Sequence, residues 1–551
     1  MAESESPTWH VFKNLCLFTL GVVSLPLGTF SLVVAALLST FRNDCRANAA
    51  QSRCEGEGEG EGEGEEEEEE ERKKKRILVT GVSMSKGLAI ARILHRQGHT
   101  VIGADGHRLS SGRVSRAIRR FHLLPTTTTT TKCDDDAYST YTYTARLLEI
   151  VRSERIHLWI PASDVGGALR DGLAKEAVEA RTSARVIQLG HDDVAAMDDK
   201  ATFMELVGSL GLATPDTRRV GSASELRAFL KTRRTRTRQG AGEGEGEGEG
   251  DGDGLSLRPG GTQYVVKPIG VDDVARYDMM AALVPLGTEE ETVARIDAIP
   301  FGRGTAFVAQ EYIRGDEYCT HALVVRGKVR AFVACPSSEL QMHYAALPAG
   351  SALSESMLDF TRRVADAGGR CWTGHVSFDF LVRRETTTSD EEEEKEKPVM
   401  YPIECNPRVH TAVLLFNQTP RLVDEYLSVL EEPATTDTDA DADADRGHTP
   451  PLYPLPSHRI YWIGQDLVES VLYPAYETFV LGTVGLGQLA ESIASFMGRV
   501  RHCKDGIFEI WDPLPFWWTY HVQWPLLFLR YLFKGRWHKA NVSTGKFFEA
   551  T

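Results

Sequence analysis

Cysteine is sparse and unpaired in this sequence. Nine cysteines are spread over 551 residues, with no Cys-x-x-Cys pair and no Cys/His cluster at zinc-ligand spacing. That pattern argues against a zinc module and a disulfide framework, and predicts free, mostly buried thiols in a reducing compartment. Glycine is plentiful but is absent from the usual phosphate-holding patterns. The loop Gly81-Val-Ser-Met-Ser-Lys-Gly87 lacks Gly-x-Gly-x-x-Gly, and its Lys-Gly order does not fit the Gly-Lys-Ser/Thr of a phosphate loop. A nicotinamide site or a Walker-type site is therefore poorly supported. What remains there is a helix N-terminus whose N–H groups can meet a substrate, with Ser83 and Lys86 in the loop.

A basic excess is missing as well. The formal net charge is −16, but four low-complexity tracts (55–71, 243–253, 390–396 and 437–445) hold twenty-nine of the 78 acidic residues. The rest of the chain is mildly basic, which suits an anionic substrate such as a nucleotide and demands no nucleic acid. The tracts cannot bury a core and read as solvated linkers.

Charge is wholly absent from Asn14 to Phe41, a run rich in Leu, Val and Phe. It is long enough to span a bilayer as a helix, and too long for a signal-peptide core. Pro26 and Gly28 near its middle also allow a bent hairpin that dips into one leaflet. Arg42, Arg46 and Arg53 follow the run and only Lys13 precedes it closely, which places the downstream body on the cytoplasmic side.

The organisation that follows is an α/β one. Residues 1–53 form the apolar segment and 54–76 a charged linker. Residues 77–192 open with a strand at 76–79, a loop at 81–87, a helix at 88–97 and a strand at 100–104, a Rossmann-like pattern that resumes with a helix at 145–154 and a strand at 156–161. Residues 193–432 form a second domain with low-complexity inserts at about 235–254 and 384–397, followed by an acidic linker at 433–451 and an aromatic-rich region at 452–551. In that last region, Pro525-Leu-Leu-Phe-Leu-Arg-Tyr-Leu-Phe-Lys534 reads either as core packing or as a helix in a membrane interface, too short to span.

Chemistry concentrates in the second domain. In His375-Val-Ser-Phe-Asp-Phe-Leu-Val382, Val376, Phe378, Phe380 and Val382 make one face of a strand, and Asp379 lies opposite. In Val399-Met-Tyr-Pro-Ile-Glu-Cys-Asn-Pro-Arg408, Glu404 and Asn406 share a face, with Ile403 and Cys405 on the other. Paired as a hairpin, these strands bring three hard oxygen ligands together, a set suited to Mg²⁺ bridging phosphates; alone, they read equally well as a hairpin with a solvated polar face. Upstream, Lys200 begins a helix after Met197-Asp-Asp, Lys267 ends a strand, and Gln310-Glu-Tyr-Ile-Arg-Gly-Asp-Glu317 turns from apolar strand to polar loop.

This order of lysine, lysine, acidic hinge, Asp and Glu-x-Asn-x-Arg resembles the ATP-grasp ligases over about residues 76–426. The resemblance implies an ATP-grasp fold with a Rossmann-like domain before it, and ATP and Mg²⁺ as cofactors. It implies phosphate contacts from Lys200 and Lys267, an adenine hinge at Gln310, Glu311, Tyr312 and Ile313, and ribose contact by Glu317. It further implies Mg²⁺ ligands in Asp379, Glu404 and Asn406, and charge stabilisation on the transferring phosphoryl group by Arg408. One departure is the segment after Lys267, Pro-Ile-Gly-Val-Asp-Asp-Val-Ala-Arg276, where a single glycine replaces the family's glycine-rich lid.

A narrower similarity, to ligases that join glycine to 4-deoxygadusol, rests on Cys319-Thr-His321, Ser337-Ser338, Gln341 with Tyr344, Asn406-Pro-Arg-Val-His-Thr411, Tyr461-Trp462 and the stretch from Asp505 to Pro515. It implies substrate contacts at Ser337, Ser338, Gln341 and Tyr344, to which Ser83, Lys86 and Ser163 are added as further candidates. His321 and His410 are candidates for proton transfer, against a purely structural role. The expected partners are small molecules and a membrane. The alternatives are an ATP-grasp ligase for other carboxylates and amines, and a membrane-tethered nucleotide-binding scaffold without catalysis.

Overall fold

The charge-free run does not form one straight helix. In the computed structural model of the chain it is divided at Ser24 into the helices Pro7–Val23 and Leu25–Cys54, whose apolar parts meet at 56°. Pro26 is the physical reason, since its ring clashes with the carbonyl four residues back and it has no N–H to give. No single helix among the described residues is long and apolar enough to cross a membrane, although the bent pair passes by length and composition. The expectation of a straight spanning helix is corrected accordingly. The structure describes residues 7–54, 74–125, 133–163, 166–240, 255, 261–269, 283–301, 307–337, 343–386, 396–431, 450–533, 538–541 and 546–549.

Strands β1 (Arg76–Thr80), β2 (Thr100–Asp105), β3 (Arg120–Leu123), β4 (Leu158–Pro161) and β5 (Arg185–Val186) form a parallel sheet in the order β3-β2-β1-β4-β5. Its central strands are almost wholly apolar because both faces are covered. Leu78 and Trp159 pack on one side, Ile77, Val79 and Ile160 on the other. The order reverses between β1 and β4, where crevices at strand ends collect ligands in such sheets. Gly81 sits in that crevice at φ 73°, and a Cβ there would lie 2.3 Å from the carbonyl oxygen of Ala162. The helix after β1 begins at Ser85, three residues earlier than expected, so Ser85, Lys86 and Gly87 form its buried first turn and not a loop. The next helix, Cys133–Ser153, also starts earlier than the predicted 145.

The second domain holds two antiparallel four-stranded sheets. The smaller has β6 (Thr217–Val220), β7 (Tyr264–Pro268), β8 (Leu283–Val284) and β9 (Phe307–Glu311) in the order β6-β9-β7-β8. The insert expected as a loop from 235 is helical up to Gly240, as part of Ala223–Gly240; Arg, Thr and Gln tolerate a helix, and only the Gly-Glu repeat beyond them opposes it. The larger sheet has β10 (Asp316–Val325), β11 (Lys328–Pro336), β13 (Gly374–Thr386) and β14 (Glu396–Asn406) in the order β11-β10-β13-β14, with a two-residue strand β12 (Tyr344–Ala345) pairing elsewhere. The expected β10–β11 hairpin forms around Arg326 and Gly327, both at positive φ (51° and 76°). A two-residue turn of that kind matches the strand twist.

The core explains the arrangement. Val376, Phe378, Phe380 and Val382 of β13 are buried with Phe203 and Phe360, and Phe378 stacks on Phe203 at 5.7 Å. The C-terminal aromatic region is not a separate body. Strands β15 (Arg459–Tyr461) and β16 (Lys504–Asp505) join β12, and Trp462, Ile507, Trp524 and Phe528 share one cluster with Ile77, Leu88 and Val413. Arg92 and Asp512 lock this contact: both are buried, and their side chains pair at 2.9 Å. The described thiols are all free; Cys319, Cys335 and Cys405 are buried as expected, whereas Cys16 and Cys503 are half-buried and Cys371 is exposed.

Candidate functional site

The predicted hairpin forms as β13 paired with β14. Asp379 lies opposite Glu404, and Ser377 opposite Asn406. The register slips between Asp379 and Phe380, whose partner is Pro402, so Ile403 is an extra residue on β14. Simple alternation through β14 was expected, and the bulge corrects it. Without the extra residue, Pro402 and Cys405 could not both face the core beside Phe380 and Phe378. Pro402 lacks an N–H to donate, and the edge strand with its bulge is where a proline can sit. The bulge thus aims Glu404 at Asp379.

The two carboxylates share a hydrogen bond, and the Asn406 amide nitrogen reaches both, at 3.0 Å to Asp379 Oδ2 and 3.4 Å to Glu404 Oε1. Burial, then the Glu404 charge and the shared hydrogen bond, hold the Asp379 carboxyl well above the usual carboxylate range, while Arg408 opposes the shift. Two carboxylates this close cannot both ionise cheaply without a cation. Among the described residues no group of three or more His, Cys, Asp and Glu is placed to hold a metal alone. Two carboxylates and an amide oxygen fit Mg²⁺ that takes its other ligands from phosphates and water, and a turn of the Asn406 amide would present that oxygen.

Cationic groups converge on the same pair. Lys200 opens the Lys200–Ser209 helix, whose N-cap Asp199 accepts from the N–H groups of Ala201 and Thr202. Its ammonium lies 2.7 Å from Glu404 Oε2. Arg408 follows β14, its Nη1 4.0 Å from Asp198 Oδ1. That Nη1 is buried and has no hydrogen-bond acceptor among the described residues, an orphaned donor that an anionic ligand would satisfy. Asp198 and Asp199 were left without roles by sequence reasoning; an aspartate immediately before a helix was the available signal.

The smaller sheet supplies the other half. Tyr264 and Val266 face its core, and alternation puts Lys267 on the opposite side, with its ammonium 3.4 Å from Gln310 Oε1. Gln310 is buried and also donates towards Thr217. Glu311 accepts from the N–H of Asp216 at 3.1 Å. Residues 312–315 then carry the chain from β9 into β10, from one sheet to the other, with Tyr312 43% exposed and Ile313 buried. Of the predicted hinge residues, Gln310 and Glu311 end β9, while Tyr312 and Ile313 lie in the connection between the two sheets. Glu317 is exposed at the start of β10 and accepts from the Ser337 hydroxyl at 2.9 Å.

Other candidates lie deeper. His321 is buried, stacks on His375 at 5.2 Å, and accepts through Nδ1 from the N–H of His410 at 3.4 Å. Burial and neighbouring histidines hold its imidazole well below the ordinary range; burial and Lys86 hold His410 at about 3. Both rings are neutral at pH 7. His410 Nδ1 caps the turn Thr411–Gln418, and Tyr344 packs edge-on against its ring. Lys86 is 3% exposed, and its ammonium donates to the carbonyls of Ser163 (2.6 Å) and Val409 (2.8 Å). The Ser163 hydroxyl donates to Asp171, which also accepts from Tyr143 at 2.6 Å. The N–H of Ser83 is taken by Asp105 at 2.7 Å. Ser338, Gln341 and Arg276 lie outside the described residues. A surface cleft lined by Met204, Glu205, Asp216 and Arg219 contains none of the candidate residues.

No protein-family model matches the chain, and no curated protein matches it. Similar solved structures include N5-carboxyaminoimidazole synthetase from Staphylococcus aureus complexed with ADP, at 12% identity and a TM-score of 0.41, covering 65% of this chain and 78% of that one. An L-amino acid ligase from Bacillus licheniformis is similar at 12% identity and 0.41, covering 70% and 77%. A biotin carboxylase from Campylobacter jejuni has the same identity and score, covering 66% and 73%. These likenesses are coarse, and the functional reading rests on this chain's own residues.

Proposed function

We propose that the chain is an ATP-dependent ligase of the ATP-grasp type that forms a carbon–nitrogen bond. The observation that carries this reading is the meeting of Lys200, Glu404, Asp379, Asn406 and Arg408 at one end of the larger sheet. A second sheet, carrying Lys267 and Gln310, is joined to it by the 312–315 connection.

In this reading the lysines neutralise the phosphates of ATP, and the 310–313 segment takes the adenine. Asp379, Glu404 and Asn406 would hold Mg²⁺, which when bound would supply neutralisation of phosphate charge. Arg408 offers its Nη1, which lacks a hydrogen-bond acceptor among the described residues, to the phosphoryl group in transfer. These residues position and stabilise charge; none needs to become covalently attached.

The substrates proposed are 4-deoxygadusol and glycine, on the strength of the sequence similarity around Cys319-Thr-His321 and Asn406-Pro-Arg-Val-His-Thr411. The enol oxygen of 4-deoxygadusol attacks the γ-phosphorus and ADP leaves. The amine of glycine then adds to the activated carbon, the C–N bond forms, and phosphate departs. The product of that union is mycosporine-glycine, and the corresponding enzyme is mycosporine-glycine synthase. The test is ADP release by the purified full-length chain with Mg²⁺ and ATP. Release that requires both 4-deoxygadusol and glycine is expected. Stimulation only by pairs of amino acids would replace the substrates and keep the chemistry, and no substrate-dependent release would sink the ligase reading.

A further inference from the structure

Large apolar side chains lie exposed almost entirely in two stretches. Among the described residues, all but five of the exposed large hydrophobic side chains fall within 15–38 and 455–533. In the first, Leu27 (68% exposed) and Phe30 (67%) are followed by Val33, Val34, Leu37 and Leu38 at helical spacing, an apolar stripe along the first half of Leu25–Cys54. The second contains a helical hairpin that sequence reasoning passed over. The chain is helical from Ile463 to Leu481, turns at Gly482 (φ 69°), and returns as Leu486–His502. From Thr478 to Ala490 there is no charged residue. Phe479, Val480, Leu481 and Leu486 flank the turn at 71%, 66%, 51% and 67% exposure, and Ile493, Met497 and Val500 continue the stripe.

The two stretches are packed into one assembly. Pro7–Val23 rests on Trp524–Phe533 and on 468–472, which rests in turn on Leu486–His502, while Leu25–Cys54 rests on Leu514–Trp518. Hydrogen bonds fix the contact: His521 Nδ1 to the Gly21 carbonyl at 2.6 Å, and Trp517 Nε1 to Thr29 Oγ1 at 3.1 Å. A Cβ on Gly28 would fall 2.1 Å from the His521 ring, so the helix sits too close for a side chain there.

We infer that the hairpin tip (479–486) and the apolar stripe at 25–38 insert together into one leaflet of a lipid bilayer, anchoring the chain without crossing it. A bilayer is favoured as the occupant by the absence of charge over the whole tip, and by the bend that turns the N-terminal run aside where a span would continue. Arg501 and His502 are exposed in the last turn of the returning helix, and Arg530 in the last turn of Trp524–Phe533. Glu477 and Glu491 border the uncharged tip itself, so attraction to anionic headgroups falls to these basic groups, which in the returning helix lie about 22 Å from Leu486 at helical rise. This anchoring goes beyond the proposed reaction and does not depend on it.

The test is flotation of the purified full-length chain with vesicles of phosphatidylcholine, with and without phosphatidylserine. The chain floats with both and more fully with the anionic vesicles. The triple substitution Phe479→Ser, Leu481→Ser, Leu486→Ser alters only exposed side chains, so thermal unfolding stays unchanged, while the floated fraction drops at least about tenfold. Protease added outside the vesicles removes an N-terminal tag. Equal flotation by the triple variant, or failure of the parent chain to float, overturns the inference. So does a stable dimer that does not float, which would make a second copy the occupant, and so does a protected tag, which would mean a span.

Discussion

The ammonium of Lys200 lies 2.7 Å from Oε2 of Glu404, although 204 positions separate them in the chain. The pair ties the start of a helix to the edge strand beside the bulge, and it joins a group proposed to neutralise phosphate to one proposed to bind Mg²⁺. Both side chains are partly exposed, so the ion pair itself adds little to stability. Its removal should therefore separate catalysis from folding. Lys200→Ala and Glu404→Gln are each expected to lower ADP release at least about a hundredfold, with the unfolding midpoint nearly unchanged. Near-normal turnover in either variant would remove that residue from the site.

The contact between Arg92 and Asp512 should behave in the opposite way. Asp512 is fully buried and accepts from Arg92, from the Ser115 hydroxyl at 2.6 Å and from the N–H of Arg116 at 2.8 Å. Asp512→Ala leaves a buried guanidinium uncompensated, for an expected loss of about 3–5 kcal/mol in urea unfolding. Turnover per folded molecule should survive. A loss below about 1 kcal/mol would show that Arg92 finds another partner.

How much of this was legible in the sequence depends on which force set each feature. The β13–β14 hairpin was legible because its alternation and its short-range acidic pattern are both local. The bulge at Ile403 was not, because Glu404 and Asn406 alternate correctly on either reading; Pro402 in a strand was the one signal that the pairing must slip. Lys86 reads as a loop residue because it lies in the segment bracketed by Gly81 and Gly87. Its partners, the carbonyls of Ser163 and Val409, come from distant segments that only the tertiary fold brings together. The hairpin at 463–502 escaped for a related reason, since an apolar run reads as core whether the fold buries it or not.

Lys86 joins the Rossmann-like domain to the residue after Arg408, so it should act on both stability and rate. Lys86→Met leaves two buried carbonyls without a charged donor, for an expected loss of about 2–4 kcal/mol. It also frees Val409, and through it the Arg408 side chain, so kcat should fall more than KM rises. Lys86→Arg should not rescue, because the larger planar head does not fit a site shaped for a compact ammonium. Wild-type stability in the methionine variant would mean that the carbonyls find other donors.

Acid sensitivity should trace to the buried imidazoles. His375 is fully buried, stacked on His321 and hydrogen-bonded through Nε2 to the Tyr426 hydroxyl at 3.1 Å. Burial first, and then the Lys86 charge, hold it down at about 3. In the unfolded chain a histidine takes up its proton near pH 6.5. As pH falls through that value, the unfolded state gains a proton that the folded state refuses, so stability drops until about pH 3, while above about pH 6.5 the effect is absent. Each such group can contribute at most about 1.4 kcal/mol per pH unit, and His321 acts in the same direction. His375→Gln removes one of them, so its urea unfolding midpoint should fall less steeply than the parent's between about pH 6.5 and about pH 4.5, even though the variant is less stable at neutral pH. Parallel slopes for the two proteins would assign the acid sensitivity to other groups.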